Sequence, residues 1–255
     1  MSLRVDRRET LPLPAMPRVQ HSRMGVYADY AAPLVDALLP PICLLCRQRS
    51  ERPGLCEGCL DDLPRQQSAC PRCAIRVADP QVPCGRCQRR APPYERLVAP
   101  LRYAFPVDTV ITRMKFGGEL GFANPLVTVL SDAIAAAKLE VDIVVPVPLH
   151  WLRLARRGFN QAERLSTPLA RGFGWAHATH ALTRRRATRQ QSRLSRTERR
   201  KNVARSFVAK HDTVRGKRVL LVDDVATSGA TIEAASHALL AAGAKAVLAA
   251  CVARA

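Results

Sequence analysis

The sequence VLLVDDVATSGAT, Val219 to Thr231, decides the fold. Its first four residues are all apolar, a pattern typical of a buried parallel strand. Two carboxylates, Asp223 and Asp224, follow that strand, and a loop of small and hydroxyl residues comes next. An alanine- and leucine-rich helix is predicted from Ile232 to Ala242. The stretch therefore predicts a strand, an acidic edge, a loop and a helix N-terminus, in that order.

This order of elements suits a sugar phosphate. The backbone N–H groups and the dipole of a helix N-terminus attract an anion. Carboxylates at the end of the strand accept hydrogen bonds from sugar hydroxyls. The predicted anion-binding residues are those of the loop, namely Ala226, Thr227, Ser228, Gly229, Ala230 and Thr231. We therefore predict a ribose phosphate site between the acidic pair and the helix.

The overall charge also favours an anionic partner. The 255 residues include 40 Lys and Arg against 21 Asp and Glu, which gives a net charge of +19. Such an excess favours nucleic acid and phosphate-bearing substrates. The alternative, a solvated basic surface without a partner, fits less well because the charge is clustered. The sequence contains no membrane-span pattern or convincing signal peptide, so a cytoplasmic, reducing location is expected.

The cysteines form four CxxC pairs at nearly equal intervals. These are Cys43 and Cys46, Cys56 and Cys59, Cys70 and Cys73, and Cys84 and Cys87. Two CxxC turns supply the four thiolates of a tetrahedral zinc site, so two structural zinc ions are expected. The simplest pairing is sequential, with the first four cysteines on one ion and the last four on the other, and an interleaved pairing is also compatible with the spacing. Buried unligated thiols and a redox pair are the alternatives, and a redox pair would not need three further copies.

A second strand end lies near the middle of the chain. A strand is predicted from Asp142 to Val145, and Pro146 and Pro148 are expected to direct the chain out of the sheet. Ligands bind at the carboxyl ends of strands in open α/β sheets. Arg156 and Arg157 follow and offer guanidinium groups to a phosphate. The alternative is that both arginines are surface charge.

These motifs together resemble the ComF family, a group of type I phosphoribosyltransferase-like proteins linked to DNA uptake in natural competence. VLLVDDVATSGAT resembles the phosphoribosyl pyrophosphate (PRPP) motif, and PVPLH followed by RLARRGFNQA resembles the pyrophosphate side. Arg184, Arg186, Thr188, Gln191 and Leu194 match the family pattern R-x-R-x-T-x-x-Q-x-x-L. The resemblance implies an α/β fold with a mostly parallel sheet flanked by helices, preceded by a small cysteine-rich double zinc ribbon.

The resemblance extends from about residue 43 to the end and suggests three regions. Residues 1–42 are expected to be an N-terminal extension, partly disordered, with a short helix at 31–39. Residues 43–90 form the predicted double zinc ribbon, and 94–255 the phosphoribosyltransferase-like domain.

The resemblance also implies roles for individual residues. Asp223 and Asp224 would be catalytic and bind the ribose hydroxyls, and residues 226–231 would bind the 5′-phosphate, with magnesium accompanying PRPP. The remaining implied PRPP contacts are Pro146, Val147, Arg156, Arg157 and Lys115. The implied flexible loop over the substrate carries Arg184, Arg186, Thr188 and Gln191. As an alternative, Lys115 is a solvated lysine near a helix C-terminus.

The implied function is PRPP binding in a protein of DNA uptake and natural transformation. One alternative is a phosphoribosyltransferase with an unidentified acceptor, including a nucleotide-salvage enzyme. The lack of a base-binding segment after the last predicted strand disfavours salvage. Another is a competence factor that binds single-stranded DNA non-catalytically, with a DNA-processing helicase or recombination proteins as partners. A receiver domain is disfavoured because the acidic pair follows a late strand.

Overall fold

A computed structural model describes residues 41–185 and 206–255 of the chain. The predicted helix at 31–39 and the predicted loop residues Arg186, Thr188 and Gln191 lie outside the described residues. Among the described residues, no helix combines the length and the apolar character needed to span a bilayer.

The described part of the chain alternates short strands and helices. In chain order the elements are α1 (Glu57–Asp61), α2 (Gly85–Arg89), β1 (Leu97–Val98), β2 (Leu101–Arg102), α3 (Val107–Phe116), a 3₁₀ turn (Leu120–Phe122), α4 (Ala123–Ala136), β3 (Ile143–Pro146), α5 (Trp151–Arg157), α6 (Gln161–Phe173), β4 (Ala176–His177), β5 (Leu182–Arg184), β6 (Phe207–Ala209), α7 (His211–Val214), β7 (Arg218–Ala226), α8 (Ala230–Ala241) and β8 (Ala246–Arg254).

The main sheet is parallel, as the sequence predicts for an α/β fold. Its strand order is β1-β8-β7-β3-β4, and β2 also pairs with β8. Pro146 at the end of β3 lies opposite Val222 of β7. The loops that follow β3 and β7 therefore leave the same edge of the sheet, where open α/β sheets bind ligands. A separate antiparallel pair, β5 and β6, flanks residues 186–205.

Both faces of the sheet are buried, which explains its continuous apolar strands. Val219 and Leu221 of β7 belong to one hydrophobic core, which also contains residues of α8. Leu220 and Val222 belong to a second core on the opposite face, which contains residues of α3, α4 and α6. All nine residues of β8 are buried. This two-sided burial fixes β7, and with it the acidic pair.

The cysteines pair sequentially, which resolves the two alternatives left open by the spacing. One group contains Cys43, Cys46, Cys56 and Cys59, and the other contains Cys70, Cys73, Cys84 and Cys87. We call residues 43–59 the first ribbon and residues 70–87 the second ribbon. Cys43 packs into the core with α3 and α4, whereas Cys73 and Cys87 pack into the core with α8. Each ribbon therefore covers a different face of the sheet.

Two predicted strand ends were wrong. β7 continues through Asp223 and Asp224 to Ala226, because β8 remains paired with it over that length. Pro146 stays in the sheet as the last residue of β3, where a proline removes only a single donor. The N–H group of Val147 then donates to the Val222 carbonyl at 2.8 Å, so the chain leaves the sheet one residue later than predicted.

Two further segments have no counterpart among the elements predicted above. The segment from Arg96 to Tyr103 contains two short strands, β1 and β2, which both pair with β8. The segment 151–157, to which the sequence pattern assigned no element, is helix α5. His150 caps this helix by accepting a hydrogen bond from the Leu152 N–H group at 3.3 Å.

Candidate functional site

A cleft of about 190 Å³ opens at the carboxyl ends of β3 and β7. The predicted site residues that line it are Lys115, Val147, Arg157, Arg184, Asp223, Asp224, Thr227, Ser228, Gly229, Ala230 and Thr231. Pro146, Arg156 and Ala226 are not among the residues that line the cleft. Pro146 lies within β3, Arg156 is exposed, and the buried Ala226 uses its carbonyl to accept from Arg254 at 2.7 Å.

The cleft also contains residues that were not named individually as ligand contacts from the sequence, although most of them lie in the segments that resemble the pyrophosphate side. These are Pro148, Leu149, Arg153, Asn160, Gln161, Val225 and Ile232. Arg153 and Arg157, four residues apart on helix α5, both reach the cleft, whereas Arg156 of the same helix is exposed. The spacing of Arg153 and Arg157 was present in the sequence, but the prediction considered only Arg156 and Arg157 of this segment.

The acidic pair is held by its own backbone and by a lysine. The Asp224 carboxylate lies 2.8 Å from Nζ of Lys115, and both side chains are largely buried. Burial disfavours the lysine charge, but Asp224 and Asp223 outweigh it and raise the pKa of Lys115. Burial and the neighbouring Asp224 raise the pKa of the Asp223 carboxyl to about 7, against the opposing effect of Lys115. Asp223 therefore titrates close to neutral pH.

The loop from residue 226 to residue 231, the 226–231 loop, leads directly into helix α8. Gly229 has a φ of 79°, a left-handed conformation that favours glycine. Oγ of Ser228 accepts a hydrogen bond from the Ala230 N–H group at 3.3 Å. The first N–H groups of a helix have no intrahelical partner and attract an anion. This loop is therefore built to face an anionic group in the cleft.

The opposite wall of the cleft presents unused donors. Arg157 donates to Oε1 of Gln161 at 3.2 Å. Within the described residues, Nε of Arg157 and Nε2 of Gln161 are buried and have no hydrogen-bond partner. Buried donors without partners are costly and rare, so each calls for an explanation. Their position in the cleft makes a bound acceptor group the simplest explanation.

The charge of the cleft favours an anion that also carries hydroxyls. Its cationic side chains are Lys115, Arg153, Arg157 and Arg184, against the two carboxylates of Asp223 and Asp224. Burial lowers the pKa of Arg184 to about 10. An anionic ligand would stabilise these partly desolvated cations, and the acidic pair would accept from its hydroxyls.

The two cysteine groups fit zinc. Within each group the Sγ atoms all lie within 4.8 Å of one another, and the Cys46–Cys56 and Cys73–Cys84 pairs are both 3.7 Å apart. Zinc–sulfur bonds of 2.3 Å in a tetrahedron place the sulfurs about 3.8 Å apart. Burial opposes ionisation of Cys70, but backbone N–H groups, led by that of Cys84, lower its pKa to about 7. The donor set and its spacing are those of structural zinc.

Comparison with known proteins places both regions in described families. Residues 34–88 match the double zinc ribbon domain, and residues 132–255 match the phosphoribosyl transferase domain. The DNA utilization protein YhgH of Salmonella typhimurium is 34% identical over 85% of this chain and 98% of its own length. Competence protein F of Haemophilus influenzae is 31% identical over 77% of this chain and 90% of its own.

A third competence protein and a solved structure are also similar to parts of this chain. Competence protein ComFC of Streptococcus pneumoniae is 30% identical over 80% of this chain and 95% of its own length. Among solved structures, glutamine PRPP amidotransferase from B. subtilis matches with a TM-score of 0.35 and 24% identity, over 49% of this chain and 25% of that chain. The double ribbon, the parallel sheet with its cleft and the full-length relatives lead to one assignment: the chain belongs to the ComF family, whose members join a double zinc ribbon to a phosphoribosyltransferase domain.

Proposed function

We propose that the cleft binds PRPP. The observation that carries this proposal is that an acidic pair and a helix N-terminal loop face two unpartnered donors across one cleft. Asp223 and Asp224 accept hydrogen bonds from the ribose hydroxyls, and the 226–231 loop receives the 5′-phosphate. Arg157 and Gln161 donate to the pyrophosphate. PRPP is the ribose phosphate that carries anionic groups at both ends.

Magnesium fits this arrangement because it prefers oxygen ligands and phosphates. Asp223 and Asp224 would hold it together with oxygens of the ligand. When bound, magnesium neutralises part of the pyrophosphate charge. Lys115, which pairs with Asp224 in the structure, would then be available to pair with a ligand phosphate instead.

The chemistry that such a cleft supports is phosphoribosyl transfer with release of pyrophosphate. Positive charge develops on the ribose as the pyrophosphate leaves, and the fixed carboxylates of Asp223 and Asp224 stabilise that charge. The four cations of the cleft stabilise the leaving group. A screen of candidate acceptors that follows pyrophosphate release tests for turnover.

Calorimetry with PRPP and magnesium tests the ligand assignment. Wild-type protein is expected to bind PRPP, and the double variant Asp223→Asn/Asp224→Asn is expected to lose binding. Asp212→Asn serves as the matched control, because that carboxylate in α7 is fully exposed. Equal affinities for the wild type and the double variant would rule out this cleft as the PRPP site.

The relatives provide the biological setting. They are named as a DNA utilization protein and as competence proteins, so we propose that this chain acts in the cytoplasm during DNA uptake. PRPP binding then belongs to a protein that handles incoming DNA. The helicase and recombination proteins expected as partners remain predictions.

A second candidate function, binding of single-stranded DNA, is favoured by a separate groove of about 1180 Å³. Arg86, Arg89, Arg90 and His237 line it, together with Tyr94 and Phe207. Arg89 and Arg90 are exposed, and exposed arginines in a groove suit a phosphate backbone. This surface is compatible with a PRPP site next to it.

The salt dependence of DNA binding tests this candidate. Each phosphate contact on single-stranded DNA contributes about 0.7 to the slope of log affinity against log salt. Arg89→Ala/Arg90→Ala is therefore expected to reduce that slope by about 1.4. Arg49→Ala/Arg52→Ala removes the same charge from exposed positions of the first ribbon and is the control. If both variants change the slope equally, the groove is not the DNA site.

A further inference from the structure

Two arginines connect the second ribbon to the 226–231 loop. Arg86 lies in α2, between the cysteines Cys84 and Cys87. Its Nη1 donates to the Ser228 carbonyl at 3.1 Å, and its Nη2 forms an ion pair with Glu233 in the first turn of α8. One side chain of the ribbon therefore contacts both the loop and the helix that follows it.

Arg254 makes a second connection from the end of β8. Its side chain is buried, and Nε donates to the carbonyl of Cys73 at 3.1 Å. Nη1 of the same guanidinium donates to the carbonyls of Ala226, at 2.7 Å, and Thr227. A buried guanidinium thus joins a cysteine of the second ribbon to the first two carbonyls of the loop. Hydrogen bonds from charged donors are the stronger kind.

The position of Arg86 depends on the cysteine group around it. Helix α2 has five residues and begins after Cys84, its N-cap residue. A helix of this length is not stable by itself, and small cysteine-rich segments obtain their folding free energy from the metal. Metal held by Cys70, Cys73, Cys84 and Cys87 therefore fixes the backbone on which Arg86 is presented to Ser228.

The first ribbon has the same cysteine spacing within its pairs but a different neighbour. Its Leu44 carbonyl accepts a hydrogen bond from Arg113 of α3 at 2.9 Å. Cys43 packs into the core on the α3 and α4 face of the sheet. The two metal sites are similar, but only the second ribbon is connected to the 226–231 loop by Arg86 and Arg254 among the described residues. The first ribbon therefore serves as a control for the second.

We propose that the second ribbon, with its metal bound, positions the 226–231 loop for its ligand through Arg86 and Arg254. Metal occupancy of the second site and ligand binding at the loop are then coupled, and the coupling acts in both directions. Loss of that metal loosens the loop, and a bound ligand retains the metal. The ligand half of this inference rests on the proposed function, whereas the positioning of the loop does not.

Hydrogen exchange in the zinc-loaded protein without ligand tests the positioning. Amides of residues 227–231 are expected to exchange about tenfold faster in Arg86→Ala, the factor for losing one hydrogen bond from a charged donor. Amides of β3 are expected to be unchanged. Arg76→Ala, an exposed arginine of the same ribbon, is the control and is expected to match the wild type. Equal loop exchange in Arg86→Ala and wild type overturns the proposal.

A second variant distinguishes the proposed effect from misfolding of Arg86→Ala. Glu233→Gln leaves the ribbon sequence unchanged and weakens the ion pair with Arg86. It is expected to raise loop exchange by a smaller factor, with unchanged zinc content. Loop exchange at the wild-type level in this variant, together with faster exchange throughout the sheet in Arg86→Ala, also overturns the proposal.

Cysteine alkylation during zinc chelation tests the coupling. Peptide mass spectrometry distinguishes Cys70, Cys73, Cys84 and Cys87 from the four cysteines of the first ribbon. With magnesium present, PRPP is expected to slow alkylation of the second group more than of the first, and Arg86→Ala is expected to remove that difference. Equal protection of both groups overturns the coupling. If PRPP does not bind the wild type at all, the proposed function fails, while the exchange experiment still decides the positioning role.

Discussion

The two walls of the cleft are built in different ways. The β7 side consists of Asp223, Asp224 and the 226–231 loop, which are neighbours in sequence. In the structure these groups are already partnered, Asp224 by Lys115 and Ser228 by the N–H group of Ala230. The β3 side consists of Val147, Arg153, Arg157 and Gln161, and it presents buried donors without partners among the described residues.

This difference suggests that the β7 side and the β3 side of the cleft contact different parts of the ligand. The β7 side is organised without a ligand, so under the proposed function it would receive the ribose phosphate with little rearrangement. The β3 side contains donors whose hydrogen bonds are completed only by an acceptor in the cleft. We therefore expect variants of the two sides to affect different parts of the ligand.

The largest effect is expected on the β7 side. Asp223→Asn should lower the affinity for PRPP about 100-fold, because a hydrogen bond to a charged group is lost along with a ligand for magnesium. Calorimetry measures the change, with Asp212→Asn as the control. An affinity within a factor of about two of the wild type would mean that Asp223 does not contact the ligand.

A smaller and more selective effect is expected on the β3 side. Gln161→Ala should weaken inorganic pyrophosphate about tenfold, because it removes one buried donor. The same variant should leave ribose 5-phosphate binding unchanged. Competition binding with these two probes measures both affinities. Equal losses for the two probes would show that the walls do not divide the ligand between them.

The pH dependence of binding sharpens the comparison further. The Asp223 carboxyl titrates near a pKa of about 7, and hydrogen bonds from ribose favour its ionised form. PRPP affinity should therefore fall as the pH drops below about 7, by at most about tenfold per pH unit for one proton. In the Asp223→Asn variant the phosphates of PRPP titrate as they do with the wild type. The affinity of this variant should therefore lack the part of the pH dependence that comes from Asp223. Parallel profiles for the two proteins would exclude Asp223 as the titrating group.

The raised pKa of Asp223 also predicts that the stability of the free protein depends on pH. Its pKa is raised from 3.8 to about 7, so the folded state retains a proton that the unfolded state has lost in this range. The free energy of unfolding then decreases as the pH rises from about 4 to 7. Above pH 7 the carboxyl is ionised in both states, and the full destabilisation from burying its charge is present. Asp223→Asn should therefore melt at a higher temperature than the wild type at pH 8, and the gain should shrink at pH 5. Thermal denaturation at both pH values measures it.

The last effect is expected for the lysine between the two walls. Lys115→Met removes the largely buried ion pair with Asp224 and leaves that carboxylate without its cation, at a cost of about 3 kcal/mol. For a domain of this size that corresponds to a fall of about 6–12 °C in the melting temperature. A larger fall would show that Asp224 depends on Lys115 for the integrity of β7.

The β7 side could be predicted from the sequence because its signals are local. The apolar run, the two carboxylates and Gly229 all lie within 13 residues. The eight metal-binding cysteines could also be predicted from the sequence, since the CxxC spacing alone identifies them. The sequential pairing was not, because it depends on how each ribbon packs against the sheet.

The β3 side was only partly predicted, for a physical reason. Arg153, Gln161 and Lys115 reach the cleft from three different helices, so their meeting depends on tertiary packing. The choice between Arg156 and Arg157 required knowing which side of α5 faces the cleft, because both residues lie within one turn of Arg153. The contacts of Arg86 and Arg254 with the 226–231 loop join residues more than 140 and more than 25 positions apart, and no local pattern indicates them.

The way in which the ribbons cover the two faces of the sheet has a practical consequence. Cys43 and Leu55 of the first ribbon are buried in one core, and Cys73 and Cys87 of the second ribbon are buried in the other. A cut between the ribbons and the transferase domain would therefore expose apolar surface on both faces at once. The fragment 94–255 is expected to aggregate when it is expressed alone. An intact chain that loses part of its zinc would expose the same apolar surface and would aggregate in the same way. Selection for solubility would then preserve both metal sites, even in a relative that no longer binds the ligand of the cleft.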